Sequence, residues 1–191
     1  MNRAFSGLLL AAVFLLAACK PGEKPAPAAS VADAAPAKAA SVSTAASSKP
    51  TTPALVVETF DGKKFDLVQH RGKWVVVNFW ATWCNPCLKE IPDLDAFDKS
   101  RDDVEVIGLA YEEIEKADMQ AFLKEHLISY PIAVVDVYHP PADFETPRGL
   151  PMTYLIAPDG TVARQFLGPI TSAELAAAID AHGQPRPDAS T

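Results

Sequence analysis

Val75-Val76-Val77-Asn78-Phe79-Trp80 is a short, almost unbroken apolar run. Too short for a buried helix and rich in β-branched and aromatic residues, it predicts a strand covered on both faces. Such a strand lies at the centre of a sheet, and the alternation of strand and helix signals around it predicts an α/β domain, a mixed sheet covered by helices. The flanking patterns agree. Ala54 to Phe60 and Lys64 to Leu67 surround Asp61-Gly62 and predict an N-terminal β-hairpin. Leu88, Ile91, Leu94 and Phe97 recur at helical spacing, and Val104 to Ala110 reads as a second buried strand. Met119, Phe122, Leu123 and Leu127 mark a helix and Ile132 to Val137 a strand, a central β-α insertion. Met152 to Ala157 and Val162 to Leu167 flank Pro158-Asp159-Gly160 as a second hairpin. A last helix opens on the capping box Thr171-x-x-Glu174 and ends near His182-Gly183.

Directly after the apolar run, Trp83-Cys84-Asn85-Pro86-Cys87 opens a helix. Reactive groups of open α/β sheets gather at the carboxyl ends of strands. A helix N-terminus offers unpaired N–H groups and partial positive charge, which lower a thiol's pKa. Cys84 is therefore expected to be the outward nucleophile and Cys87, one turn inside, the resolving thiol. Pro86 suits a first-turn position, where a missing N–H costs nothing. Two other uses of the pair stay open. One is a structural disulfide, although a four-residue loop closes little chain entropy. The other is a Cu(I) site, for which the sequence offers no obvious additional soft ligand beyond Met152.

Val77-Asn78-Phe79-Trp80-Ala81-Thr82-Trp83-Cys84-Asn85-Pro86-Cys87, followed by Glu90-Ile91-Pro92, resembles the thioredoxin superfamily. It is similar in particular to the membrane-tethered TlpA/ResA-like thiol–disulfide oxidoreductases. Phe60-Asp61-Gly62-Lys63, Arg71-Gly72-Lys73 and Gly149-Leu150-Pro151-Met152-Thr153-Tyr154-Leu155-Ile156 extend the likeness over residues 54–183. The resemblance implies a thioredoxin-like mixed sheet flanked by helices and a protein-disulfide reductase without a cofactor or metal. Its electrons would come from a membrane donor of the DsbD/CcdA type, and its clients would be disulfides of periplasmic proteins, such as those of cytochrome c or copper-site maturation. A thiol oxidase is the alternative direction. By position, Cys84 and Cys87 are the catalytic pair, with Glu90, Trp83 and Pro86 in support, Pro151 the cis-proline that docks substrate together with Leu150, and Pro92 the proline of the active-site helix. Asn78 stands where thioredoxin itself carries a buried Asp, so proton relay falls to Glu90 or water.

The segment Tyr138-His139-Pro140-Pro141-Ala142-Asp143-Phe144-Glu145-Thr146-Pro147-Arg148 holds three prolines and predicts a rigid loop beside the active-site face. Tyr138, Phe144 and Arg148 are its expected exposed handles. His70, His126, His139 and His182 show no metal-ligand spacing. Trp74 and Trp80 read as core.

Ahead of this head the chain changes character. Arg3 and the run Gly7 to Ala18 form a signal peptide, since a helix of that length reaches about 18 Å against a hydrocarbon core of ~30 Å. Leu16-Ala17-Ala18-Cys19 resembles a bacterial lipoprotein signal, cleaved before Cys19, which is then lipidated. Lys20 after the Cys points to the outer rather than the inner membrane. Residues 20–53 hold 11 Ala, 6 Pro and 8 Ser or Thr without one aromatic, so residues 19–53 are expected to be a disordered tether. Its r.m.s. reach would be roughly 35 Å. Residues 54–184 form the thioredoxin-like domain, and 185–191 a disordered tail. The formal net charge of −7 argues against a nucleic-acid binder. The expectation is thus a monomeric, periplasm-facing lipoprotein of a bacterial envelope, held to the membrane by its anchor.

Overall fold

The computed structural model describes residues 49–182. The signal peptide, Cys19, the tether as far as residue 48 and the tail at 185–191 lie outside the described residues. Among the described residues, no helix is long and apolar enough to cross a membrane.

Chain order is β1 (Val56–Glu58), β2 (Lys64–Asp66), a 3₁₀ turn (Leu67–His70), β3 (Trp74–Trp80), α1 (Asn85–Ser100) and β4 (Val104–Tyr111). It continues with α2 (Lys116–Glu125), β5 (Ile132–Val135), β6 (Met152–Ile156), β7 (Val162–Leu167) and α3 (Ser172–Ala181). β1 and β2 pair as a separate antiparallel hairpin. Its loop is closed by the Thr59 N–H on the Lys63 carbonyl and the Gly62 N–H on the Thr59 carbonyl, with Gly62 at φ +81°. Glycine takes that conformation without the Cβ penalty. The five-stranded sheet has the order β5-β4-β3-β6-β7. β3, β4 and β5 run parallel, while β6 and β7 add on antiparallel. All seven residues of β3 are buried, as its apolar run requires.

The two faces are covered differently. One carries Val76, Trp80, Val106 and Leu155 and meets Ile91, Leu94 and Phe97 of α1, Met119 of α2, and Leu175 and Ile179 of α3. The crossovers β3-α1-β4 and β4-α2-β5 progress in one direction across the sheet, so right-handed connections put both helices on the same side. The opposite face, with Val75, Val77, Phe79, Ile107 and Leu109, is closed by Leu55, Phe65 and Leu67 of the hairpin region and by Phe144. α3 opens with the expected capping box, and its first residue is tied to α1 by the Ser172 N–H and hydroxyl on the Asp93 carboxylate.

Three expectations change. Phe144 is no exposed handle: it is 2% exposed, its ring lying 5.0 Å from that of Tyr154 and 5.9 Å from that of Phe79. An open sheet face without a helix must be covered by something, and this aromatic does it. Leu127 lies beyond the end of α2 and is exposed rather than on a packed helical face. The ordered head begins before residue 54, because Pro53 is buried and the Thr51 carbonyl accepts from the Val162 N–H at 2.8 Å.

Gly108 of β4 sits opposite Asn78 of β3 and has no room for a side chain. A Cβ there would lie 2.5 Å from Ile132 Cδ1, 2.9 Å from Trp80 Nε1 and 3.1 Å from Tyr130 Cε2. Gly108→Ala is expected to lower unfolding stability by about 1–3 kcal/mol, the usual cost of overpacking, as measured by urea denaturation followed through tryptophan fluorescence.

Candidate active site

The site forms where β3 gives way to α1. Ala81, Thr82 and Trp83 bridge the two, and the Cys84 N–H closes a turn on the Ala81 carbonyl at 3.1 Å. Cys84 is the N-cap of α1, its sulfur accepting from the Cys87 N–H at 3.3 Å, and Pro86 lies in the first turn. Cys84 and Cys87 form a disulfide with an S–S distance of 2.03 Å and a Cα–Cα distance of 5.3 Å. The sequence places Cys84 outward, but in this disulfide it is only 4% exposed, while Cys87 is fully buried. The exposed surface around it comes from Trp83, at 67%, together with Asn85 and Pro86. The order of access is as expected, and its extent is far smaller.

The Leu150–Pro151 bond is cis. In the β3–β6 pairing Phe79 faces Met152, so Pro151 comes level with Trp80, at the end of β3 from which the cysteine loop departs. Leu150 is partly buried and packs against the cores of both faces. Pro92 lies within α1, which runs unbroken from Asn85 to Ser100.

Glu90 follows Cys87 by three residues, which puts both on one face of α1. It is 4% exposed and accepts from Asn78 Nδ2 and from the Ile170 N–H, both at 2.8 Å. Burial pushes its carboxyl up to about 7, against the opposing pull of the Ile170 and Asn78 hydrogen bonds. Asn78 Nδ2 also donates to Thr153 Oγ1 at 2.9 Å, the residue opposite it in β6. Three buried polar atoms lack a hydrogen-bond partner among the described residues: Asn78 Oδ1, Trp80 Nε1 and the Tyr130 hydroxyl. Burial first, and the charge of Glu90 second, hold the Tyr130 phenol well above its ordinary value.

Sequence reasoning missed Glu112, Thr153 and Tyr130. Glu112 follows β4 and accepts from the Thr82 N–H at 2.6 Å and the Thr82 hydroxyl at 2.9 Å. Its only sequence signal is an acidic residue at the carboxyl end of a buried strand. A cavity of about 550 Å³ beside Trp83 is lined further by Tyr111, Glu112, Glu113, Arg148 and Leu150, so the 138–148 segment does border this face. Met152 faces away from the cysteines: it packs with Phe79 and Tyr154 on the opposite side of the sheet, which removes it as a third soft ligand. No group of three or more metal-ligating side chains occurs among the described residues. His70 pairs with Glu105, His139 with Asp136, His126 stacks on Phe122, and His182 meets Trp74 edge-on.

A parallel strand feeding a helix that starts on a CxxC disulfide, with a cis-proline immediately ahead of the neighbouring strand, is the architecture of a thioredoxin-like thiol–disulfide oxidoreductase. Residues 50–166 match the AhpC/TSA family model, and the chain belongs to that family. It is 35% identical over 125 residues to the thiol-disulfide oxidoreductase ResA of a Bacillus cereus strain, covering 64% of this chain and 71% of that protein. Thioredoxin-like protein YneN of Bacillus subtilis (strain 168) is 30% identical over 131 residues, covering 67% of this chain and 76% of YneN. Among solved structures, a thiol:disulfide interchange protein of the thioredoxin family from Chlorobium tepidum TLS superposes with a TM-score of 0.58 at 27% identity. That match covers 69% of this chain and 94% of the other.

Because the folded state holds the Glu90 proton more tightly than the unfolded chain does, the native protein binds the extra proton between about pH 4.5 and 7. Stability from this group is full below that window and lost as pH rises through it. The expected loss is of the order of 3 kcal/mol. Glu90→Gln should flatten that part of the stability–pH curve, as read by urea denaturation of both proteins at pH values from 4.5 to 8.

Proposed function

We propose that the protein reduces disulfides of protein clients in the bacterial envelope, with Cys84 as nucleophile and Cys87 as resolving thiol. The observation that carries this reading is the Cys84–Cys87 disulfide at the N-terminus of α1, with the buried Glu90 one turn further along the same helix. In the dithiol form the helix N-terminus favours the Cys84 thiolate. The thiolate attacks one sulfur of the client disulfide and forms a mixed disulfide, and the other client sulfur departs as a thiolate that takes a proton from solvent. Cys87 then loses its proton to the Glu90 carboxylate, whose affinity near neutrality suits both uptake and release. The Cys87 thiolate attacks Cys84 Sγ, the second client sulfur leaves, and the Cys84–Cys87 disulfide is restored with two electrons delivered to the client. No cofactor enters this exchange.

Pro151 and Leu150 flank the place where an extended client segment lies beside the pair, and Trp83 offers it an exposed aromatic surface. Return to the dithiol needs a donor of two electrons, for which a membrane carrier of the DsbD/CcdA type has the right chemistry. Cysteines of apocytochrome c, copper-site cysteines and damaged periplasmic proteins are clients of the right chemistry. Lipidation of Cys19 supplies the anchor and the Ala/Pro/Ser-rich stretch the reach, with Lys20 favouring the outer membrane. The head acts as a monomer.

Cys84→Ser is expected to abolish reduction of a model protein disulfide. Cys87→Ser is expected to accumulate a mixed disulfide, visible as a dithiothreitol-sensitive adduct on non-reducing gels. Full reductase activity in Cys84→Ser would overturn the proposal. In a Gram-negative host, Cys19→Ser is expected to move the protein from the membrane to the soluble periplasmic fraction and to remove incorporation of labelled palmitate.

A further inference from the structure

Glu112 is an acidic residue that the exchange chemistry leaves without a task. It is only 8% exposed, in contrast to its exposed neighbour Glu113, and among the described residues its carboxylate accepts hydrogen bonds from one residue. Thr82 gives it both a backbone N–H and a hydroxyl. The pairing explains why. β3 and β4 run parallel with Trp80 opposite Ala110, so Thr82 and Glu112 each lie two residues beyond a matched pair. Thr82 in turn belongs to the turn in which the Cys84 N–H binds the Ala81 carbonyl. One side of that turn is therefore held by Glu112, and the other carries the sulfur. The carboxylate also stands at the end of the sheet where α1 begins, so its charge opposes the favourable field that the helix N-terminus offers a thiolate.

We propose that Glu112 is a positioning residue for the thiol–disulfide reaction: it clamps the turn leading to Cys84, and its charge makes the dithiol more strongly reducing. The inference rests on the reading of Cys84 and Cys87 as the exchanging pair. A charge that disfavours the Cys84 thiolate raises the free energy of the reduced form relative to the disulfide, which carries no charge. Electrons then leave the pair more readily. Other charged groups at this end, among the described residues, are Glu90 and the exposed Lys89 from α1, Glu113 beside Glu112 and Arg148 ahead of Pro151. Glu113 and Arg148 are exposed, and solvent screens them.

The test uses the full-length protein and separates clamp from charge. In Glu112→Gln the amide oxygen still accepts from the Thr82 N–H, and the amide nitrogen donates to the Thr82 hydroxyl, so the turn is kept while the charge is lost. The Cys84 acidity constant, from the pH dependence of alkylation of the reduced protein, is expected to rise about threefold. The equilibrium with glutathione is expected to move by about the same factor toward the dithiol. Glu112→Asp keeps the charge on a shorter arm and is expected to hold the acidity near the wild-type value while slowing exchange. Wild-type acidity and equilibrium in Glu112→Gln, or the same change in both variants, would overturn the inference while leaving the Cys84/Cys87 reading intact. A wild-type protein that shows no two-electron couple against glutathione would overturn both.

Discussion

The matched pairing of β3 with β4 governs the reactive end of the molecule. Seven consecutive pairs, from Trp74 with Val104 to Trp80 with Ala110, bring the two strands to their carboxyl ends at the same level. Burial of β3 on both faces holds that alignment, because a slip by one residue would turn its side chains to the wrong layers. From this fixed end the chain passes through three residues and enters α1 at Cys84. The helix N-terminus, the disulfide and Pro151, just ahead of β6, therefore share one end of the sheet without any of them determining the others.

Asn78 shows how the core accommodates polarity where chemistry needs it. A buried amide without partners is costly, and a buried carboxyl more so. Here the amide hydrogens of Asn78 are divided between Glu90 and Thr153, and the second oxygen of Glu90 is held by the Ile170 N–H. One side chain thus joins the central strand, the active-site helix and β6, while Ile170 brings in the segment leading to α3. The hydrogen bonds favour the charged carboxyl and the apolar surroundings favour the neutral one, and burial dominates. That balance gives a carboxyl able to exchange its proton near neutrality in a place that water reaches poorly.

Much of this was legible in the sequence because it is local. The apolar run of β3, the cysteine spacing, the Gly62 turn and the Thr171–Glu174 box each declare themselves within a few residues. Glu90 was legible only by resemblance. Glu112 was not, since its partner lies 30 residues away and the contact exists only once two strands are aligned. Phe144 was misread for a related reason. A proline-rich loop has no periodicity to show which side chain turns inward, and the uncovered sheet face decides it. The small exposure of Cys84 likewise depends on how the whole turn closes, which spacing alone does not describe.

The level ends of β3 and β4 also bear on how chain length can vary. One residue added or removed between Trp80 and Thr82, or between Ala110 and Glu112, would break the match between the Thr82 donors and the Glu112 carboxylate. The connection at 101–103, between α1 and β4, lies at the other end of the sheet and is free of that constraint. Insertions and deletions in the lineage of this protein should therefore collect at the end of the sheet remote from the cysteines, leaving the two short segments beyond Trp80 and Ala110 constant in length even where their residues change.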